Sequence, residues 1–170
     1  LIIPRGGNKL VKFIKENTKI PVLGHADGIC HIFTDESADL SLAARVIIDA
    51  KTQYPSACNA VETLLIHKNF PQKEELLKKI SSAGVELIFN PDSWAFEYGE
   101  KKLAVKTVDS IDEAISHINT YGSGHTDCIL TRDSKNAEKF MNQIDSAGVY
   151  HNVSTRFADG FRYGFGAEVG

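Results

Sequence analysis

The 170-residue sequence contains only three cysteines and no long hydrophobic run. Cys30, Cys58 and Cys128 form no C-x-x-C pair, and their odd number argues against both a disulfide framework and a structural zinc site. Such cysteine usage fits a reducing compartment. No apolar run approaches the roughly 20 residues that a membrane-spanning helix needs, and no signal segment opens the chain. We therefore expect a soluble protein that has no membrane partner.

The sequence also lacks an excess of positive charge. Its 19 basic and 22 acidic residues give a formal net charge of -3, and the lysines are dispersed rather than clustered. Such a chain does not neutralise a phosphate backbone, so we expect no nucleic-acid partner. Hydrophobic residues make up 42% of the chain, which is enough to form the core of a compact domain.

Strand and helix patterns alternate along the chain. From Ala38, apolar residues recur at helical spacing, which predicts a helix over 38–53 with Asp35 or Ser37 as its N-cap. Short apolar segments that predict strands then alternate with further helical patterns: strands at 29–33, 61–67, 85–90, 103–108, 127–132 and 149–154, and helices at 71–83, 110–121 and 134–147. This order predicts an α/β fold with a mostly parallel sheet covered on both faces.

Three stretches do not follow the periodic pattern, namely GHADGICH (24–31), QYPSACN (53–59) and STRFADGFRYGFGAEVG (154–170). Because the functional residues of such folds lie in loops at strand ends, these stretches are the candidate site. Cys58 lies in the second of them, in a turn between a helix and a strand, where a thiolate could act as a nucleophile. The alternative is a small buried side chain, which is the ordinary state of a cysteine and the one we expect for Cys30 and Cys128.

The other candidates are weaker. His25, Asp27, Cys30 and His31 resemble a metal cluster in composition, but successive residues of a strand point to opposite faces, so we expect no metal site. The glycines of GFRYGFGAEVG lack the spacing of a dinucleotide-binding loop.

Polar residues are concentrated in the third stretch. Arg156 and Arg162 could bind a carboxylate with the hydroxyls of Ser154 and Thr155, or form ion pairs with Asp159 in a solvated loop. The residues alone leave both interpretations open.

Five segments carry a family resemblance: LIIPRGGNKLV, IPVLGHADGICHIF, YPSACNAVETLLIH, HINTYGSGHTDCILT and STRFADGFRYGFGAEVG. Together they resemble the gamma-glutamyl phosphate reductases, which are proline-biosynthetic members of the aldehyde dehydrogenase superfamily. They also resemble the reductase half of the bifunctional pyrroline-5-carboxylate synthases. The resemblance implies a three-layer aldehyde dehydrogenase-like catalytic domain at residues 31–170, preceded by the end of a nucleotide-binding domain at residues 1–30.

The resemblance implies that Cys58 is the catalytic nucleophile. It would form a thioester with L-glutamate 5-phosphate, which hydride from NADPH then reduces to L-glutamate 5-semialdehyde. Glu97 falls where superfamily members place the glutamate that holds the nicotinamide ribose. VLGHADG carries no acid where hydrolytic relatives carry one to activate water, as suits a reductase. His25 is expected either to border this site or to be structural.

The loop that begins at Ser154 falls where relatives anchor the tail of the substrate. We expect Ser154, Thr155 and Arg156 to bind the α-carboxylate of the substrate as donors and Asp159 to bind its ammonium group as an acceptor. Asn152 is expected to belong to the same wall.

The resemblance also implies that the chain is a piece of a longer enzyme, because most of the nucleotide-binding portion would lie before residue 1. We therefore expect the piece alone to bind NADPH weakly or not at all and to have negligible activity. A homo-oligomeric cytoplasmic enzyme is expected, or a mitochondrial or plastid one if the chain belongs to a bifunctional synthase. The alternatives are a reductase or aldehyde dehydrogenase with another substrate, and a non-catalytic structural or oligomerisation module.

Overall fold

The computed structural model describes residues 1–4, 8–24 and 27–166, which divide into two compact units. The larger unit is Gly28–Ala158, and the smaller combines Leu1–Asp27 with Asp159–Gly170. In the smaller unit, Ile2 and Val22 form a single parallel bridge, and helix α1 (Asn8–Asn17) lies between them in the chain. The predicted domain boundary after residue 30 concerns a longer protein and stays a prediction.

The larger unit is built on a six-stranded sheet in which every neighbouring pair of strands is parallel. The strands are β1 (Cys30–Thr34), β2 (Val61–His67), β3 (Glu86–Phe89), β4 (Lys102–Val108), β5 (Thr126–Leu130) and β6 (Gly148–His151). Their order across the sheet is β3-β4-β2-β1-β5-β6. Strands β1, β2 and β5 are buried along their whole length, which explains why their sequences are continuous apolar runs.

Four helices cover the sheet: α2 (Leu40–Thr52), α3 (Lys73–Ser82), α4 (Ile111–Tyr121) and α5 (Ser134–Gln143). Alternate residues of β2 face opposite sides, so Leu64 packs in one core with α2 and α3, while Leu65 packs in the other with α4 and α5. The three-layer α/β fold predicted from the sequence is therefore confirmed.

Two details of the predicted helices are wrong. The N-cap of α2 is Asp39, whose carboxylate accepts a hydrogen bond from the Leu42 N–H at 2.8 Å. The carboxylate of Asp35 is instead occupied by the Thr131 hydroxyl at 2.6 Å and the Ser37 hydroxyl at 2.9 Å. Helix α5 ends at Gln143, four residues before the predicted end at residue 147.

Within the part of the chain that the structure describes, no helix combines the length and apolarity that crossing a membrane demands.

Candidate active site

Cys58 lies in a pair of tight turns between the end of α2 and the start of β2. The Ala57 N–H donates to the Tyr54 carbonyl at 3.1 Å, and the Ala60 N–H donates to the Ala57 carbonyl at 2.8 Å. The Cys58 side chain is half-buried. Because β2 begins at Val61, the turn lies at the amino end of this strand, whereas most parallel α/β sheets carry their sites at the carboxyl ends.

The start of β1 packs directly against the backbone of Cys58. A Cβ atom added to Gly28 would lie 2.2 Å from the Cys58 carbonyl oxygen and 2.6 Å from its Cα. The Cys30 thiol, which is fully buried, donates to the same carbonyl at 3.4 Å. Gly28 and Cys30, two residues of the first candidate stretch, therefore pack against the turn that carries Cys58.

Arg156 joins the two sides of the Cys58 turn. Its Nε donates to Oε1 of Gln53 at 2.9 Å, and its Nη1 donates to Oδ1 of Asn59. The guanidinium carbon lies 5.9 Å from the centre of the Tyr54 ring, within cation–π range. A guanidinium has five N–H donors, so these two bonds leave others for an anionic ligand beside Cys58.

The residues next to Arg156 stabilise the conformation of the loop itself. The Ser154 hydroxyl caps a short 3₁₀ helix (Thr155–Phe157) by accepting from the Arg156 N–H at 3.3 Å. The Thr155 side chain is completely buried, and its hydroxyl has no hydrogen-bond partner among the described residues. Asn59 donates to the Ala158 carbonyl at 2.6 Å and fixes the far end of the loop. As placed, the Thr155 hydroxyl is out of reach of a substrate, so its predicted role stays without support.

Asn152 and Asp159 are each held by contacts within their own unit. The Asn152 side chain accepts from the Thr131 N–H at 3.0 Å and donates to the Thr131 carbonyl at 2.9 Å, both at the carboxyl end of β5. Asp159 belongs to the smaller unit, where its carboxylate accepts from the Phe161 N–H at 2.9 Å. The roles predicted for both residues stay predictions, and His25 lies outside the described residues.

Glu97 lies in the segment between β3 and β4, and a buried ion pair anchors this segment at the amino edge of the sheet. Lys51 Nζ lies 2.7 Å from Oε2 of Glu62, and both side chains are inaccessible to solvent. The backbone N–H groups of Tyr98 and Gly99 donate to the same carboxylate at 3.3 and 3.4 Å. Glu97 is half-buried and close enough to Lys51 to act on it electrostatically.

Burial changes the pKa values of four ionisable side chains in the core of the larger unit. It raises the pKa of Glu62 to about 7, although Lys51 opposes the shift, and it lowers the pKa of Lys51. Burial also raises the pKa of Cys30 well above its ordinary value and that of Cys128 to about 12. Both thiols are therefore protonated at neutral pH and fully enclosed, as the sequence predicts for core cysteines.

Alkylation of the native protein is expected to modify Cys58 and to spare Cys30 and Cys128. Only Cys58 is reachable by a reagent, because the other two thiols are inaccessible and protonated. Peptide mapping by mass spectrometry after iodoacetamide treatment at pH 7.5 measures the order of reaction, and a sample unfolded in guanidinium is the control. Equal labelling of all three thiols in the folded protein would contradict this assignment.

The sequence analysis assigns no role to Gly28 and Gln53, although both lie in its candidate stretches, and it misses Lys51 and Glu62 entirely. One signal is present: Glu62 is the only acidic residue in the mostly apolar strand VETLLIH. A carboxylate in a buried strand must be paired, since an isolated buried charge is very costly. Nothing in the sequence distinguishes Lys51 from the exposed lysines that end many helices.

The whole chain is similar to proteins of known family. Residues 103–166 match the aldehyde dehydrogenase family. The chain is 56% identical to the gamma-glutamyl phosphate reductase of Trichodesmium erythraeum and 55% identical to that of Prochlorococcus marinus. These matches cover 100% of the chain and 43% and 42% of the two relatives.

A solved structure is similar to almost the whole chain. The crystal structure of gamma-glutamyl phosphate reductase from Thermotoga maritima matches 99% of the chain with a TM-score of 0.94 and 44% identity. The matched region is 44% of that chain. The present chain therefore spans less than half the length of the relatives that it matches.

Proposed function

Because this chain belongs to the aldehyde dehydrogenase superfamily, we propose that it is the nucleophile-bearing part of a gamma-glutamyl phosphate reductase. One observation carries the proposal: three loop stretches far apart in the sequence meet at the half-buried Cys58. The name of a relative at 56% identity supports L-glutamate 5-phosphate as the substrate. Its reduction to L-glutamate 5-semialdehyde, as a step of proline biosynthesis, is part of the proposal.

The proposed chemistry begins with acyl transfer to Cys58. The thiolate attacks the acyl carbon of the substrate, the C–S bond forms, and the C–O bond to phosphate breaks so that phosphate leaves. Hydride addition to the acyl carbon then gives a thiohemiacetal on Cys58. This collapses as the C–S bond breaks, which releases the aldehyde and regenerates the thiol or thiolate. Because the nucleophile lies on a turn, backbone N–H groups can face the oxyanion that develops in each step.

NADPH supplies the hydride in this proposal, and Glu97 is the residue of this chain that fits it. A carboxylate accepts hydrogen bonds from both hydroxyls of a ribose, and the half-buried Glu97 lies in a segment fixed at two neighbouring N–H groups. Superfamily membership supports a nicotinamide cofactor, and the preference for NADPH is our proposal. A phosphate-binding glycine loop is not among the sequence motifs of this chain, so the rest of the cofactor site would come from elsewhere in the protein.

Arg156 is proposed to bind the α-carboxylate of the substrate through the donors that Gln53 and Asn59 leave available. Ser154 is a weaker candidate, because its hydroxyl caps the loop. Asp159 is retained as the proposed acceptor for the ammonium group of the substrate. A cytoplasmic location and a homo-oligomeric state complete the proposal.

The full-length protein is expected to reduce L-glutamate 5-phosphate with NADPH and to prefer it to acyl phosphates without an amino-acid tail. In the reverse direction, L-glutamate 5-semialdehyde, NADP⁺ and phosphate should give NADPH, which absorbance at 340 nm measures. In the forward direction, oxidation of NADPH is followed at the same wavelength, and acetyl phosphate is the matched control because it carries the same reacting group. Equal rates on both acyl phosphates would point to another substrate, and no turnover on either would support a non-catalytic module.

A further inference from the structure

Glu62 is a charged residue inside the core, and its carboxylate receives three donors. Oε2 accepts from Lys51 Nζ at 2.7 Å and from the Tyr98 N–H at 3.3 Å, and Oε1 accepts from the Gly99 N–H at 3.4 Å. The donors come from α2 and from the segment before β4. One carboxylate thus joins three elements of the larger unit, since Glu62 itself belongs to β2.

The placement of Glu62 relates this network to the site. Glu62 follows Cys58 by four residues, and Lys51 precedes Cys58 by seven, so the ion pair lies on both flanks of the nucleophile in sequence. Strands β2 and β4 are neighbours in register, with Thr63 opposite Ala104. The segment that leads into β4 therefore reaches the same amino edge of the sheet as the Cys58 turn.

The segment has little regular structure of its own. Residues 94–99 form neither helix nor strand, and Phe96 within them is 54% exposed. The two bonds to Glu62 fix the backbone directly after Glu97. The Trp94 ring also contacts the His117 ring of α4, with centroids 5.1 Å apart, so the bonds to Glu62 are the contacts that fix the backbone on the Glu97 side of the segment.

We propose that Glu62 is a positioning residue, which holds the Tyr98 and Gly99 N–H groups so that Glu97 presents its carboxylate to the nicotinamide ribose. The positive charge of Lys51 balances the negative charge of Glu62, so that both carboxylate oxygens stay available as acceptors inside the core. The proposal deepens the assigned function and rests on it for the identity of the ligand. The network itself does not depend on that ligand, so it can be tested separately.

The decisive variant replaces the pair by apolar residues of similar size, Lys51→Met with Glu62→Leu, in the full-length protein. Such a replacement of a buried ion pair preserves folding in other proteins, because no charge is left unpaired. If the pair were merely structural, the double variant would keep all kinetic constants. We expect instead that KM for NADPH rises by about 10-fold, as for the loss of one well-placed hydrogen-bonded contact. The rate of Cys58 alkylation should change little.

Hydrogen exchange gives a readout that needs no activity. The Tyr98 and Gly99 amides should be protected in the wild-type protein and lose protection in the double variant, while amides within β2 stay protected. The control is Glu75→Leu with Lys79→Met, the same exchange in a pair whose side chains are 56% and 46% exposed. It should alter neither KM nor the exchange at residues 98 and 99.

The outcomes separate the two proposals. An unchanged KM for NADPH in a folded double variant overturns the positioning role. If that variant does not fold, the wild-type exchange decides, because rapid exchange of both amides would show that Glu62 holds neither. If the wild-type protein does not use NADPH at all, the proposed function fails, whatever the exchange of the two amides.

Discussion

Replacing Cys58 with serine in the full-length protein should lower kcat for acyl reduction by at least about 10⁴-fold, the scale seen when an enzyme loses its nucleophile. That loss corresponds to about 5.5 kcal/mol of transition-state stabilisation. A serine hydroxyl is hardly ionised at neutral pH, and the turn that holds residue 58 contributes no histidine from its own sequence to activate it. The serine ester, if formed, would also be a poorer hydride acceptor than a thioester.

The Cys58→Ser variant should nevertheless fold. The side chain is half-buried, and hydrogen bonds of the Cys58 carbonyl and of the neighbouring backbone hold the turn and are retained in the variant. We expect the free energy of unfolding to change by about 1 kcal/mol or less. The matched control is Cys128→Ser, which places a hydroxyl in the core of β5 and should lower stability while sparing kcat.

Steady-state kinetics, thermal unfolding and mass spectrometry together decide this prediction. Wild-type protein given substrate without NADPH should carry an acyl adduct on Cys58, and the serine variant should carry none on the time scale of turnover. A variant with near-wild-type kcat would show that the reaction does not pass through Cys58. An inactive variant that unfolds at a much lower temperature would indicate a structural role for the sulfur.

The fold could be predicted because its signals are local. Each apolar strand and each amphipathic helix is encoded in a short window, and the parallel sheet follows from their alternation. β2 coincides with its predicted range, 61–67, since the apolar run is bounded by turn residues on both sides.

The errors occurred where distant residues decide. Asp35 is a plausible N-cap by sequence, but its carboxylate accepts a hydrogen bond from the Thr131 hydroxyl, which is 96 residues away in the sequence. Helix α5 was predicted to continue to residue 147, yet it ends at Gln143. There the Asp145 N–H bonds to the Asn119 side chain of α4 at 3.1 Å. Neither contact has a trace in the local pattern.

The same distinction holds for the site. Cys58 could be singled out from its turn composition, and Arg156 from its polar loop. Arg156 bridges the turn by hydrogen bonds to Gln53 and Asn59. These are tertiary contacts, which the spacing of residues in the sequence does not predict. The non-periodic stretches therefore contain Cys58 and Arg156, while the structure is needed to add Lys51 and Glu62 and to show how the residues meet.

Gly28→Ala should lower kcat by about 10²-fold, the loss expected when reacting groups are displaced by about 1 Å. The reason is space rather than backbone conformation. The added Cβ would approach the Cys58 carbonyl oxygen, Cα and carbonyl carbon to 2.2, 2.6 and 2.7 Å, all of which are backbone atoms that cannot rotate away. Either the segment that leads into β1 or the Cys58 turn must shift, and the former continues into a strand that is paired on both sides from His31 to Thr34.

The comparison variant is Gly84→Ala, which separates displacement of the nucleophile from loss of stability. Gly84 has φ +81° and nothing near the position of a Cβ atom, so alanine there strains the end of α3 by about 1 to 2 kcal/mol without touching Cys58. Thermal unfolding should then report a loss of stability for Gly84→Ala, while kcat at 25 °C stays near the wild-type value. If Gly28→Ala kept full kcat, the Cys58 turn would tolerate displacement, and its close packing on β1 would not be a catalytic requirement. A low kcat in Gly28→Ala together with retained NADPH binding would instead attribute the loss to the position of one sulfur atom.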